Sequence, residues 1–250
     1  MKILFIQHDP LDGPGALLDW ASERRHSVAT CLISEVSSKG QPLPALHSFD
    51  LLISLGGPMG AYEEEQHPWL IAEKAYLRKS VAAHKKILGL CLGAQLLADA
   101  LGGKAFRHSL KEFGWQRIEP TEQGKEWFPL HEGECSFLAS ETHKKTFFKA
   151  FQWHGDTYSL PPGAVQIARN SACEQQAFLI RSEVDHKPQV IGLQFHLEWT
   201  EQMMRDALAD PDVAPPASPT VQTPEEIMSD LTLFTSSRER FFALMDRFVG

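Results

Sequence analysis

From Ile87 to Gly103 the chain reads ILGLCLGAQLLADALGG, and its hydrophobic period changes at a single residue. Lys86 to Leu90 is a short apolar run, the pattern of a strand buried on both faces. Leu92 to Leu101 carries apolar residues at helical spacing and is closed by Gly102 and Gly103. Only Cys91 stands between them. A strand that passes so abruptly into a helix belongs in a layered α/β architecture. The upstream chain repeats the alternation. Lys2–Gln7, Ser27–Ile33 and Leu51–Leu55 read as strands, Ala16–Arg25 and Trp69–His84 as helices, the latter with Leu70, Ala75, Leu77 and Val81 inward. This order implies right-handed βαβ units and a mostly parallel sheet.

Downstream the pattern shifts. EFGWQRI, TFFKAFQW, AVQIAR and QAFLIR are short, aromatic-rich strand candidates suited to an antiparallel or mixed extension. Gln189–Phe195 is the last strong strand, and a helix begins near Glu201. The segment DPDVAPPASPTVQTPEE is a proline-rich connector that ends in a helix start: Thr223 at the N-cap, Pro224 at N1, Glu226 at N3. The final helix places Phe241, Leu244, Met245 and Phe248 on one face, a stripe expected to dock on the main body. The predicted organisation is an α/β domain over residues 1–210, an open, mostly parallel sheet flanked by helices with a smaller antiparallel extension. Residues 211–250 form a connector and helices that pack on it.

The 250 residues carry 24 Lys+Arg against 32 Asp+Glu, a net charge of −8, which argues against a nucleic-acid or anionic-membrane binder. The N-terminal apolar run stops at Ile6, so it reads as a first strand and not a leader, and no run approaches membrane-spanning length. Cys31, Cys91, Cys135 and Cys173 are far apart and lack zinc-like spacing. A reducing cytoplasm and no metal are expected, and Cys31, Cys135 and Cys173 receive no role.

Gly89-Leu90-Cys91-Leu92-Gly93 has the spacing of a nucleophile elbow. Such a turn lifts the side chain over the C-terminal end of its strand, where open α/β sheets build their sites. It sets the sulfur at a helix N-terminus, where the dipole favours negative charge, and leaves the Leu92 N–H free to bind an oxyanion. A cysteine between two glycines is also what packing alone selects, so other elements matter. The Leu51–Leu55 run ends in Gly56-Gly57-Pro58-Met59-Gly60, whose backbone N–H groups could supply a second oxyanion donor. In GLQFHLEWT a buried strand delivers His196 and Glu198, two apart and therefore on one face, the base and orienter of a triad. His154, with Asp156 two residues on, is a rival pair that spacing does not eliminate. His196 is favoured because its strand is the more apolar and a helix follows directly.

Taken in order, LGGPMG, GLCLGAQ, EFGW, WHGD and QFHLEWT resemble the class I glutamine amidotransferase domain over roughly residues 1–210, most closely free-standing members similar to the amidotransferase half of GMP synthase. The resemblance implies a flavodoxin-like sheet with Cys91 as nucleophile, His196 as acid and base, and Glu198 as its orienter. It also implies oxyanion N–H groups at Gly57 and Leu92, and substrate contacts from Gln95 and from the backbone around Trp153 and His154. Family members usually carry Pro between the histidine and the glutamate; Leu197 stands there, and loss of proline's fixed φ is expected to relax the turn. The implied chemistry is cofactor-free hydrolysis of a γ-glutamyl amide. The chain has neither a GxxxxGK[ST] nor an SGGxDS-like nucleotide loop. Either a partner synthetase takes the ammonia, or the protein acts alone as a γ-glutamyl peptidase; a non-catalytic binding protein on the same fold is the third alternative. A neighbouring superfamily draws its acidic residue from an early strand, but Asp9 is all this chain offers there, and no role is assigned to His8 or Asp9.

Overall fold

The structure is a computed structural model, and it describes every residue except 130–134, 137–144, 211, 212 and 214–216; the Cys135 side chain and part of the proline-rich connector therefore lie outside the description. In chain order the elements are β1 (Lys2–Gln7), α1 (Ala16–Glu23), β2 (Ser27–Leu32), α2 (Ile33–Ser38), β3 (Leu51–Ser54), α3 (Trp69–Ala82), β4 (Lys86–Leu90), α4 (Leu92–Ala100), β5 (Lys104–Pro120), β6 (Cys135–Ser136), β7 (Lys145–Thr146), β8 (Phe148–Ser159), β9 (Val165–Arg169), β10 (Ala177–Arg181), β11 (Pro188–Leu193), α5 (Glu201–Leu208), α6 (Pro224–Ile227) and α7 (Thr232–Val249).

Nine strands form one sheet in the order β2-β1-β3-β4-β11-β10-β9-β5-β8. The first five are mutually parallel. From β11 onward each neighbour runs antiparallel, so the expected extension continues the same sheet. Two-residue alternation divides the parallel strands between two helical layers. Ile3, Phe5, Leu51, Ile53, Leu88, Leu90, Ile191 and Leu193 share a core with α1 and α7. Leu4, Ile6, Leu52, Ile87 and Val190 face Leu70 and Leu77 of α3 and Leu96 and Leu97 of α4.

The α7 stripe lies in the same core as the sheet. Phe241, Leu244, Met245 and Phe248 are all fully buried, each worth about 1.5–3 kcal/mol of apolar transfer. The Trp20 indole N–H and the Arg24 guanidinium both donate to Asp246, tying α1 to α7. At α6 the capping box forms: the Thr223 hydroxyl accepts from the Glu226 N–H, and the Glu226 carboxylate accepts from the Thr223 N–H.

The inward face of α3 is more polar than its hydrophobic spacing implies. Leu70 and Leu77 are buried, but Ala75 and Val81 are only partly so, and Glu73, Lys74, Tyr76 and Ser80 are buried beside them. The cause is specific pairing. Glu73 meets His8 and Ser54, and Lys74 meets Glu64 and Asp99, so these groups leave water without losing their partners.

Candidate active site

The parallel strands deliver the site at their C-terminal edge. β4 and β11 are in register, with Gly192 opposite Gly89 and Leu193 opposite Leu90, so the residues just past each strand are neighbours. The Cys91 N–H donates to the Leu193 carbonyl at 2.8 Å, which closes the sheet at the turn. Cys91 itself has φ 49°, in the left-handed region that costs a non-glycine residue about 1–3 kcal/mol. The packing that enforces this is visible at Gly93: a Cβ there would lie 2.1 Å from the Ser54 carbonyl oxygen, so only glycine lets α4 start against the end of β3. The Gly93 N–H donates to the Leu55 carbonyl at 3.1 Å and fixes that approach.

The Cys91 side chain is 6% exposed. Its sulfur lies 3.7 Å from the Trp153 carbonyl and 3.6 Å from Gln194 Nε2. Cys91 acts electrostatically on the His196 ring, whose Nδ1 faces Glu198 Oε1 at 2.5 Å. Burial opposes a charge on His196, but Glu198 and Cys91 outweigh it and hold the ring's pKa well above the usual histidine value. The ring packs beside Phe151 and Trp199 at centroid distances of 6.2 and 5.9 Å, and those two rings pack on each other at 5.4 Å.

The turn that carries the pair is anchored at each residue. The His196 N–H donates to the Phe151 carbonyl at 2.8 Å, and the Glu198 carbonyl accepts from the Ala16 N–H at 2.8 Å. The Leu197 N–H donates to Glu198 Oε2 at 3.0 Å. Proline could not make that last bond, so the residue expected to relax the turn instead supplies a donor to the carboxylate.

Leu92 begins α4 and Gly57 follows β3. Among the described residues neither backbone N–H donates to a protein acceptor. The two are adjacent: a Cβ on Gly57 would fall 2.9 Å from Leu92 Cδ2. Gln95 is 3% exposed and donates to Gln194 Oε1 at 3.2 Å, so it reaches the sulfur's neighbour and not the sulfur. Trp153 contributes its carbonyl, and its ring packs on Trp199.

His154 is turned away from the thiol. Its Nδ1 donates to the Asp156 carbonyl at 2.9 Å and its Nε2 meets Glu112 Oε2 at 3.1 Å, so the rival pairing with the Asp156 carboxylate does not form. Two neighbours went unread in the sequence. Gln194 lies two residues before His196, and the parity that groups His196 with Glu198 extends back to it. Asp12 comes from the loop after β1: a Cβ on Gly56 would be 3.3 Å from His196 Cε1 and 3.6 Å from Asp12 Oδ2. Burial first, then Glu198 and Asp9, raise the Asp12 pKa against the opposing pull of His196.

A thiol on a strained strand-to-helix turn, an imidazole backed by a carboxylate and free N–H groups nearby form the constellation of cysteine-dependent acyl transfer. The comparisons narrow this class. Residues 18–211 match the family model described as glutamine amidotransferase class-I, and the chain belongs to that family. It is 28% identical over 204 residues to the glutamine amidotransferase-like protein YfeJ of Salmonella typhimurium, covering 80% of this chain and 77% of that one. It is 31% identical over 125 residues to GMP synthase of Paraburkholderia phytofirmans, covering 50% of this chain but only 22% of the synthase. The crystal structure of a glutamine amido transferase from Methylobacillus flagellatus superposes with a TM-score of 0.81 at 30% identity, over 99% of this chain and 94% of that one. No helix among the described residues is long and apolar enough to cross a membrane.

Proposed function

We propose that this protein is a cysteine-dependent glutaminase that cleaves the γ-carboxamide of glutamine and releases ammonia and glutamate. The observation that carries the proposal is Cys91 at its strained turn, acting electrostatically on an imidazole whose Nδ1 is held by Glu198. With the proton already on His196, the Cys91 thiolate attacks the γ-carbonyl carbon. The oxyanion is received by the Leu92 and Gly57 N–H groups, each such donor being worth roughly 100- to 1000-fold in rate. The carbonyl reforms, the C–N bond breaks, and His196 gives its proton to the leaving amine. Water, deprotonated by His196, then attacks the glutamyl thioester, and the thiolate leaves as glutamate departs. Glu198 orients the ring and stabilises its cationic form. Gln95 and the backbone of Trp153 and His154 hold the amino-acid head, and Gln194 donates toward the sulfur.

The same site would serve a synthetase subunit that consumes the ammonia, and the limited overlap with GMP synthase supports a partner of that kind. Residues 1–210 would carry the chemistry, with 211–250 completing the fold. Cys31, Cys91 and Cys173 are free thiols, which suits a reducing cytoplasm.

The test is glutamate release by wild type and Cys91→Ser from glutamine, γ-glutamyl peptides and γ-glutamyl amines. Turnover of glutamine that disappears in Cys91→Ser is the expected result. Preference for a γ-glutamyl peptide would reassign the protein as a γ-glutamyl peptidase. No turnover of any substrate, with a Cys91 that resists alkylation, would make it a binding protein.

A further inference from the structure

We propose that His8, held by Glu73, is a positioning residue that aims the Gly57 N–H by gripping the carbonyl on the other side of the same peptide bond. This rests on the proposal that Gly57 is an oxyanion donor. His8 lies just past β1, outside the family-matched residues, and is 2% exposed. Its Nδ1 is 2.9 Å from the Gly56 carbonyl oxygen and its Nε2 is 2.8 Å from Glu73 Oε2. A carbonyl only accepts, so Nδ1 carries a proton. The other Glu73 oxygen accepts from the Ser54 hydroxyl at 2.8 Å. The ring therefore bridges the Glu73 carboxylate and the Gly56 carbonyl. Burial alone works against a charge on it, but Glu73 overcomes this and the His8 pKa is raised.

The Gly56–Gly57 peptide is trans, so its C=O and N–H point in opposite directions and fixing one fixes the other. A hydrogen bond to the oxygen also polarises the amide and strengthens its N–H as a donor. The grip is rigid because β1, β3 and α3 each contribute one member, and the His8 ring stacks on Trp69 at 5.4 Å and 20°. Gly57 sits between His8 and the second proposed donor residue: a Cβ there would be 2.9 Å from both His8 Cβ and Leu92 Cδ2. What sets this pair apart from a purely structural one is that the carbonyl it grips belongs to the peptide bond of a proposed oxyanion donor.

The test uses the full-length chain and two readouts of Cys91. Acylation by p-nitrophenyl acetate, followed as a nitrophenolate burst absent from Cys91→Ser, passes through an oxyanion. Alkylation by iodoacetamide does not. His8→Leu/Glu73→Leu removes ring and carboxylate together, leaving no unpaired buried charge. His8→Asn/Glu73→Gln keeps an N–H that can reach the Gly56 carbonyl. The first variant is expected to acylate about 10- to 100-fold more slowly, part of the cost of losing an oxyanion donor, with alkylation within about twofold of wild type. The second is expected to recover acylation to within about fivefold, since its amide restores the donor. Unchanged acylation in the first variant, or a parallel fall in both rates, overturns the proposal. Glutamate release from glutamine is measured alongside. A wild type that acylates from the ester but never releases glutamate from glutamine removes the glutaminase proposal and leaves the comparison of acylation rates standing. A wild type that acylates from neither reagent overturns both.

Discussion

Two buried histidines, on β8 and just past β11, each lean on a glutamate, yet their surroundings differ in one respect. His154 faces Glu112 directly across the β5–β8 ladder. Both its ring nitrogens are occupied, and Glu112 also accepts from Asn170 at 2.6 Å and Gln176 at 2.8 Å. His196 spends one nitrogen on Glu198, while Cys91 acts electrostatically on the same ring. The first pair is a closed knot that holds two antiparallel strands together. The second keeps one nitrogen for a reactive group. A histidine–carboxylate pair therefore does not by itself mark chemistry; the partner of the remaining nitrogen does.

Four substitutions sharpen or break this contrast. Cys91→Ala removes the partner of His196 and is expected to lower kcat by roughly 10⁴- to 10⁶-fold, the scale of losing a nucleophile; steady-state glutamate release reads it. Glu198→Gln should cost roughly 10²- to 10⁴-fold in kcat through a misoriented ring. It also carries a pH signature. Burial disfavours charge on His196, yet Glu198 and Cys91 raise its folded pKa. A raised folded pKa adds stability that is complete below the unfolded value, about 6.5, and is lost as pH climbs through the folded one. Wild type should lose stability over that alkaline interval, and calorimetry of Glu198→Gln should show a shallower decline. A variant curve parallel to wild type would remove Glu198 as the cause.

The closed knot should respond in the opposite way. His154→Leu leaves the Glu112 carboxylate short of a buried partner and is expected to cost about 3–5 kcal/mol in denaturant unfolding. At temperatures where it stays folded, its kcat should remain within about tenfold of wild type, because the ring touches neither the sulfur nor its base. Equal losses in His154→Leu and Glu198→Gln would erase the distinction. The smallest effect is expected from Leu197→Pro, which deletes one N–H donor to Glu198 and should lower kcat by roughly 3- to 10-fold, the net value of one typical intramolecular hydrogen bond.

What the sequence disclosed and what it hid divide along the same line. β4, the Cys91 turn and α4 are legible because strand and helix periods are local and glycine marks the close approach. The α6 cap and the buried face of α7 are legible for the same reason. The partners of His154 and His8 are not. Glu112 lies 42 residues before His154 and meets it only through the β5–β8 register, while Glu73 sits on the inward face of α3 with Leu70 and Leu77, where apolar spacing leads one to expect no charge. The N-terminal part of β5 was hidden too: Phe106 and Leu110 face outward, and the ladder to β8 is interrupted between Arg107 and Glu112. Spacing left His154 and His196 unresolved because each is followed two residues later by a carboxylate, and only tertiary register shows which carboxylate each ring meets.

The most direct measurement is to quench the protein in acid during turnover of glutamine and locate the acyl group by peptide mass spectrometry. A glutamyl thioester on Cys91 that is absent from Cys91→Ser and accumulates more slowly in Glu198→Gln is the expected result. Glutamine turnover with the acyl group on Cys31 or Cys173, or turnover that persists in Cys91→Ser, would contradict it.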